Sequence, residues 1–564
     1  MNDTVAGLFQ VGLLLVLLAV VYVPFGDYMA RVFTSERDWR VESALYRLVR
    51  VDPASGQRWS TYAAGVLGFS FVSIVLLYLL QRLQPLLPMA FGRDAVAPSM
   101  AFNTAVSFTT NTNWQSYVPE QVLGNTVQMA GLTVQNVVSA AVGIAVAIAL
   151  VRGFVRPGAD RIGNFWVDLT RGVVRILLPF SFGAAILLIA MGVTMSLRSG
   201  VDVTGVDGAT QTLPLAPTAS QEAIKELGTN GGGIFNANSS HPFENPNALS
   251  NLFEIFLLLV IPVCLTRTFG TMLVVGSAGS ASAAGNRRQG TVLLSVMGML
   301  WAAMLALAWC AETHPNGPAT LTAGGALEGK EVRFGIPASV LFGVSTTGTS
   351  TGAVNSMHDS WTGGGGGVPL LNILFGEVAP GGVGAGLYGI LVLAVIAVFL
   401  AGLMVGRTPE YLGKKLGRRE VTAAAVAILA MPTLVLVGTG LAIALPGTRE
   451  ALNNAGAHGF SEVLYAFASA ANNNGSAFAG LTVTGDFFQA ALGLAMLLGR
   501  FVPILAVLAL AGSLAQQRRV EPGAGTLATD KPLFGVLVGG TVVLVAALTF
   551  FPALALGPLA EALA

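Results

Sequence analysis

Ten separate apolar runs, each of a length suited to a bilayer crossing, decide what this chain can become. They are Val11–Val23, Tyr62–Leu80, Ala130–Val151, Ile176–Met195, Leu252–Val275, Val292–Trp309, Leu387–Met404, Val421–Leu445, Phe488–Leu514 and Phe534–Ala555. A helical crossing needs about 20 mostly apolar residues. Lipid offers backbone polar groups no partner, so each run must satisfy its own hydrogen bonds as a helix. Composition agrees, since only 10% of the 564 residues are charged, against about 25% in soluble domains. No basic tract interleaved with aromatic residues accompanies the net charge of +1, which argues against a nucleic-acid surface. Cys264 falls in a run and Cys310 at the end of one, and both read as buried small hydrophobes rather than a disulfide. The start, Met1-Asn2-Asp3, lacks a basic region, and no small-residue cleavage site follows, so the first run reads as a retained helix.

Orientation follows from the basic residues. Alternate connections hold Arg31 to Arg58, Arg152 to Arg175, Arg287 and Arg288, Arg407 to Arg419, and Arg518 to Lys531, in all 21 Lys and Arg. The opposite set holds seven: Arg82, Arg93, Arg198, Lys225, Lys330, Arg333 and Arg449. Positive loops stay in the cytoplasm, so both termini are expected outside.

The long outward connections repeat a pattern that ordinary loops do not need. A stretch of about ten residues, too short to span, leads into a Thr, Asn and Gly cluster, and a new span follows. The lead-ins are Ser99–Phe108, Ser220–Gly228, Pro337–Thr346 and Ser461–Ala470, each opening on Ser or Pro as a helix start prefers. The clusters are Thr109–Asn113, Thr229–Gly233, Thr349–Ala353 and Asn472–Ser476. With Asn111, Gly231, Gly352 and Gly475 taken as equivalent, the spacings are 120, 121 and 123 residues, a period that marks repeated units. Irregular backbone at membrane depth is tolerated only where protein buries it or water fills a cavity beside it. The expected fold is therefore an all-α polytopic membrane protein with ten transmembrane helices. Four fused helix–pore loop–helix units surround a pseudo-fourfold axis: 59–171, 172–289, 290–420 and 421–532. Residues 1–58 and 533–564 supply one further helix at each end.

Four such loops can aim backbone carbonyls at one point and replace the hydration shell of a monovalent cation. Glycine lets successive carbonyls face one side, and Asn111 stands in for it in the first loop because Asn tolerates positive φ. Thr and Ser hydroxyls add neutral oxygens, and pore-helix C-termini add partial negative charge. No carboxylate lies in the clusters, which argues against a divalent site. The expected ligand positions are Thr110, Asn111 and Thr112; Asn230, Gly231 and Gly232; Thr351, Gly352 and Ala353; and Asn474, Gly475 and Ser476.

The four loops, with His241-Pro242-Phe243-Glu244-Asn245-Pro246 after the second, resemble the potassium-binding A subunit of the bacterial Kdp potassium-transporting ATPase over essentially the whole chain. The resemblance implies a potassium filter in this chain and ATP hydrolysis on a separate P-type ATPase B subunit. It also implies small C and F subunits, a lipid-embedded place in the bacterial inner membrane, and no cofactor beyond potassium as substrate. Gln115 then falls at the outer mouth. In the third loop Thr351 stands where the family pattern has a cysteine, so a hydroxyl replaces a weak sulfur.

Ionisable groups near membrane depth mark a pathway or a buried partner, which singles out Glu377, Arg407 and Arg500. The glycine run Gly363–Gly367 and the Gly381–Gly386 segment flank Glu377, and such density predicts a broken helix below the third loop. That break reads as a gate or side exit, with Glu377 and Arg500 lining it; the alternative is a structural ion pair between them. Gly348-Thr349-Ser350-Thr351-Gly352 matches a nucleophile elbow but lacks its strand. The four histidines are scattered without zinc spacing, and no phosphate-binding loop occurs. An autonomous potassium channel or an ion-coupled symporter remains the alternative function, and an intramembrane enzyme a remote third.

Overall fold

The computed structural model describes residues 3–276, 283–314, 324–406, 409–520, 523 and 526–564. Among these, ten helices are long and apolar enough to cross a membrane. In chain order the spans and the main shorter helices that position the loops are α1 (Asp3–Thr34), α2 (Trp59–Arg82), α3 (Pro98–Thr109), α4 (Val127–Val155), α5 (Phe165–Ala190), α6 (Thr218–Leu227) and α7 (Ala248–Val275). They continue as α8 (Ala283–Thr313), α9 (Gly335–Gly348), α10 (Gly363–Leu374), α11 (Ala385–Val405), α12 (Arg418–Ala444), α13 (Gly456–Asn472), α14 (Asp486–Gln516), α15 (Pro532–Leu556) and α16 (Pro558–Leu563). All ten expected spans are present, each extending beyond its apolar run at one or both ends because polar end residues complete the last turns.

The helices sort into an inner and an outer set. The second long helix of each unit is the inner one: 89% of the most apolar stretch of α4 is buried, and 72% of that of α7. The first is the outer one, as in α12, where 22% is buried. The sequence of α4 shows why: Ala140–Ala149 is nearly all Ala, Val, Gly and Ile, small enough for other helices to pack on every side. Large exposed side chains such as Phe71, Leu76 and Leu429 belong to outer helices that face lipid.

The short helices α3, α6, α9 and α13 are the four expected lead-ins, and α13 starts at Gly456, earlier than its expected Ser461. The additional N-terminal helix α1 is fastened to α7, where Arg267 grips both oxygens of Asp27 at 2.8 and 2.9 Å. Arg152 and Asp168 tie α4 to α5 with a buried bidentate pair, which also receives the Tyr62 hydroxyl from α2 at 3.0 Å. A hairpin of β1 (Gly200–Thr204) and β2 (Thr210–Pro214) precedes α6, and a shorter one, β3 (Glu410–Tyr411) and β4 (Lys414–Lys415), joins α11 to α12. Both cysteines are free; Cys264 is buried as expected, whereas Cys310 lies on an exposed face of α8.

The third unit departs from the expectation in one respect. The Gly363–Gly367 run is helical, forming the first turns of α10, although glycine disfavours helix. Packing overrides propensity here. A Cβ on Gly365 would collide with the Glu312 carboxylate, and one on Gly367 would stand 3.0 Å from Pro558. Thr362 caps the helix by accepting from the Gly365 amide at 2.9 Å. The expected break around Glu377 is present at residues 375–384, between α10 and α11.

Candidate functional site

Each short helix ends in the same backbone device. An amide one or two residues beyond its cap reaches back to a carbonyl five residues earlier: Thr112 to Ser107, Asn230 to Lys225, Thr351 to Thr346 and Asn474 to Ser469, all at 2.8–3.0 Å. The residue before each of these amides has positive φ: Asn111 (+68°), Thr229 (+47°), Ser350 (+54°) and Asn473 (+61°). These contacts fix the equivalence of the loops and correct the sequence alignment. Asn111 pairs with Thr229, Ser350 and Asn473; Asn113, at φ +59°, takes the glycine position beside Gly231, Gly352 and Gly475. The first spacing is then 118 residues rather than 120. Asn113 was missed because Thr110-Asn111-Thr112-Asn113 offers two Asn residues and no glycine to choose between them.

The loops meet around a common centre. A Cβ on Gly231 would collide with the backbone of Gly352, and one on Gly475 with the Thr112 carbonyl. A Cβ on Gly352 would stand 2.7 Å from the Asn474 carbonyl oxygen. The Gly352 amide donates to the Asn230 carbonyl at 3.2 Å, and Asn473 Nδ2 donates to Thr112 Oγ1 at 2.9 Å. All twelve expected ligand positions therefore fall within the four converging loops; Ser476 is turned to Tyr465 Oη at 2.8 Å, and Ala353 gives its carbonyl to Thr346 Oγ1 at 2.6 Å. Loops one and three carry matching hydroxyl pairs, Thr110 with Thr112 and Thr349 with Thr351, each at 2.8 Å. Loops two and four instead carry Asn230 and Asn474 at that place, so the fourfold arrangement has twofold chemistry.

Gln115 binds protein. Its Oε1 accepts from the Gly233 amide at 2.9 Å, tying the first loop to the second. Glu244, within the His241–Pro246 segment, accepts from the amides of Ile234 and Phe235, both at 2.9 Å, and so shapes the outer half of loop two.

The broken segment 375–384 lies against the loops from one side. The Val383 amide donates to Thr229 Oγ1 at 2.8 Å, and the Gly381 amide to the Gly348 carbonyl at 2.7 Å. Glu377 has φ +52°, unusual for a non-glycine residue, and strain of this kind persists only where surroundings hold it. Ser350 Oγ and Asn474 Nδ2 do so, the latter at 2.7 Å from Glu377 Oε1. A carboxylate thus reaches two of the loops, although none lies within their sequence. The Glu377 carboxylate meets Ser350 and Asn474 rather than Arg500. Glu377 and Arg500 both line a cavity of about 130 Å³ with Asn472, Asn473 and residues of α11, α12, α14 and α15. Arg407 lies outside the described residues.

Four helix–pore loop–helix units around one centre define the class: a polytopic membrane protein with the pore-loop potassium-transporter fold. The potassium transporter TrkH from Vibrio parahaemolyticus shares this fold with a TM-score of 0.54 at 14% identity, covering 90% of this chain and 98% of that one. Residues 12–563 match the family described as potassium-transporting ATPase A subunit. Proteins named potassium-transporting ATPase potassium-binding subunit from Rhodococcus erythropolis and Streptomyces coelicolor are 62% and 57% identical, each over 100% of both chains. The chain belongs to the potassium-transporting ATPase A subunit family.

Proposed function

We propose that this chain selects and translocates potassium in an ATP-driven import complex whose ATP hydrolysis resides on another subunit. The observation that carries the reading is the meeting of four loops at one centre, directly against a helix break, in a chain of this family. Carbonyls and hydroxyls in such a ring offer a dehydrated monovalent cation a neutral oxygen cage. The loop positions read from the sequence are its proposed lining, with Asn113 taking the place first given to Asn111 and Gln115 bracing the mouth. Potassium is the substrate rather than a resident cofactor.

In this reading the segment 375–384 closes the way below the filter, and the ion turns sideways into the cavity bounded by Glu377 and Arg500. The exit leads toward a P-type ATPase B subunit, with small C and F subunits completing the complex. Both termini lie outside the bacterial inner membrane. The four pore units are proposed as 59–171, 172–289, 290–420 and 421–532, with 1–58 and 533–564 at the ends, although α5, α8 and α12 begin before the boundaries they open.

Reconstitution tests the division of labour. Vesicles carrying the whole complex are expected to accumulate a potassium tracer only with ATP, and vesicles carrying this chain alone to stay tight. ATP-independent uptake by the chain alone would contradict the reading and favour an autonomous channel or symporter.

A further inference from the structure

Behind the second loop lies a charge cluster that the transport role leaves unaccounted for. Glu222, Lys225 and Glu226 sit on α6, Glu244 follows loop two, and Glu254 faces them from α7; none is more than 1% exposed. The Lys225 ammonium is fully engaged. It lies 2.6 Å from Glu222, 2.9 Å from Glu244, 3.0 Å from Ser239 Oγ and 3.1 Å from Asn238 Oδ1. Glu222, Glu226 and Glu254 nevertheless bring one oxygen each within 4.8 Å of one another. Neither oxygen of Glu254, nor Oε2 of Glu226, has a hydrogen-bond partner among the described residues.

Four carboxylates against one ammonium leave three net negative charges if all are ionised. Each uncompensated buried charge costs several kcal/mol, and carboxylates this close cannot all ionise. Positive charge must enter, and the orphaned acceptors of Glu254 and Glu226 show where. We propose that Glu254, Glu226 and Glu222 form a proton-binding site whose occupancy holds the second loop in its potassium-binding shape. A protonated carboxyl supplies the donor that the orphaned oxygens lack. A divalent cation fits poorly, because the Lys225 ammonium already stands 2.6 Å from Glu222 and 3.7 Å from Glu226. Glu244 couples the cluster to the filter: one of its oxygens faces Lys225, and the other holds the Ile234 and Phe235 amides.

The groups that face the site are few. His241 and Glu120 interact with Glu244, and Arg333 and Glu331 with His241 in turn. The parts of α4 and α5 packed on α6, residues 127–151 and 178–190, carry no charged side chain or histidine. Of the acids on α1 and α8 beside α7, Asp27 is taken by Arg267 and Glu312 by Lys330.

The test uses the assembled complex, with potassium-dependent ATP hydrolysis read across pH and protonated carboxyls read by infrared difference spectroscopy. Buried glutamates have been found to hold their protons to about pH 8–9, so wild-type potassium affinity is expected to fall about tenfold above that range. Glu254→Gln, which mimics the protonated form, is expected to match the wild type near neutrality and to lose the alkaline fall. The infrared band of a protonated carboxyl is expected in the wild type and to weaken in both Glu254→Gln and Glu226→Gln, so either variant suffices if the other fails to assemble. An unchanged alkaline fall in Glu254→Gln, no such band, or one tightly held divalent metal per wild-type chain would overturn the proposal. The affinity readout rests on the filter reading, whereas the infrared band does not, so the two fail separately.

Discussion

Asn113 holds in the first loop the positive φ that Gly231 and Gly475 hold in the second and fourth, and its side chain adds a bond that glycine lacks, Nδ2 to Asn136 Oδ1 at 2.6 Å. Asn enters the left-handed region more easily than other side-chain residues, while alanine there is strained. Asn113→Gly is therefore expected to keep potassium selectivity with a modest loss of thermal stability, and Asn113→Ala to lose affinity as well. Equal behaviour of the two variants in a potassium-dependent ATPase assay would count against this equivalence. Gln115 supports loop two through the Gly233 amide, and an amide left without its partner costs about 1–3 kcal/mol. Gln115→Leu should raise the half-saturating potassium concentration about tenfold or more without altering the maximal rate. The glycines and the Asn-rich stretches marked these loops in the sequence. What was not legible was which Asn of the first loop matched them, because that depends on the bond from residue 112 back to residue 107.

At the scale of elements, the third unit shows most clearly how far local composition carries. Glycine density announced a break near Glu377, and the break is there. It could not say that Gly363–Gly367 would be helical, since that depends on Glu312 and Pro558 arriving from elsewhere in the chain. A second element held by distant partners is the outer end of α13. His458 donates to Glu561 of α16 at 2.9 Å and to Asp359, beyond loop three, at 3.1 Å. Hydrogen bonds to Asp359 and then Glu561 push the imidazole up to about 10. Because the folded value is raised, the stabilisation is full below the ordinary value near 6.5, declines above it and is gone beyond about 10. His458→Gln should accordingly melt lower than the wild type at pH 6 and match it above about pH 10. A melting difference that persisted unchanged into that range would rule out the charged clamp.

For the molecule as a whole, ten apolar runs and a repeat near 120 residues were enough to give the class of fold, because lipid forbids most alternatives. Which helix of each unit faces the centre was not read from the runs; small residues such as those of Ala140–Ala149 on α4 carry that information. Neighbouring helices are also joined by pairs invisible to pattern reading, such as Arg152 of α4 with Asp168 of α5. Removing one partner of a buried pair costs about 3–5 kcal/mol, so Asp168→Ala should sharply reduce the amount of folded chain recovered from membranes. The central claim, that the four loops are one potassium filter, is tested most directly at Gly231, where φ is +94° and a Cβ would collide with Gly352. The measurement is potassium against sodium stimulation of ATP hydrolysis by the assembled complex carrying Gly231→Asp. The account predicts that discrimination between the two ions collapses while the complex still assembles; discrimination equal to that of the wild type would contradict it.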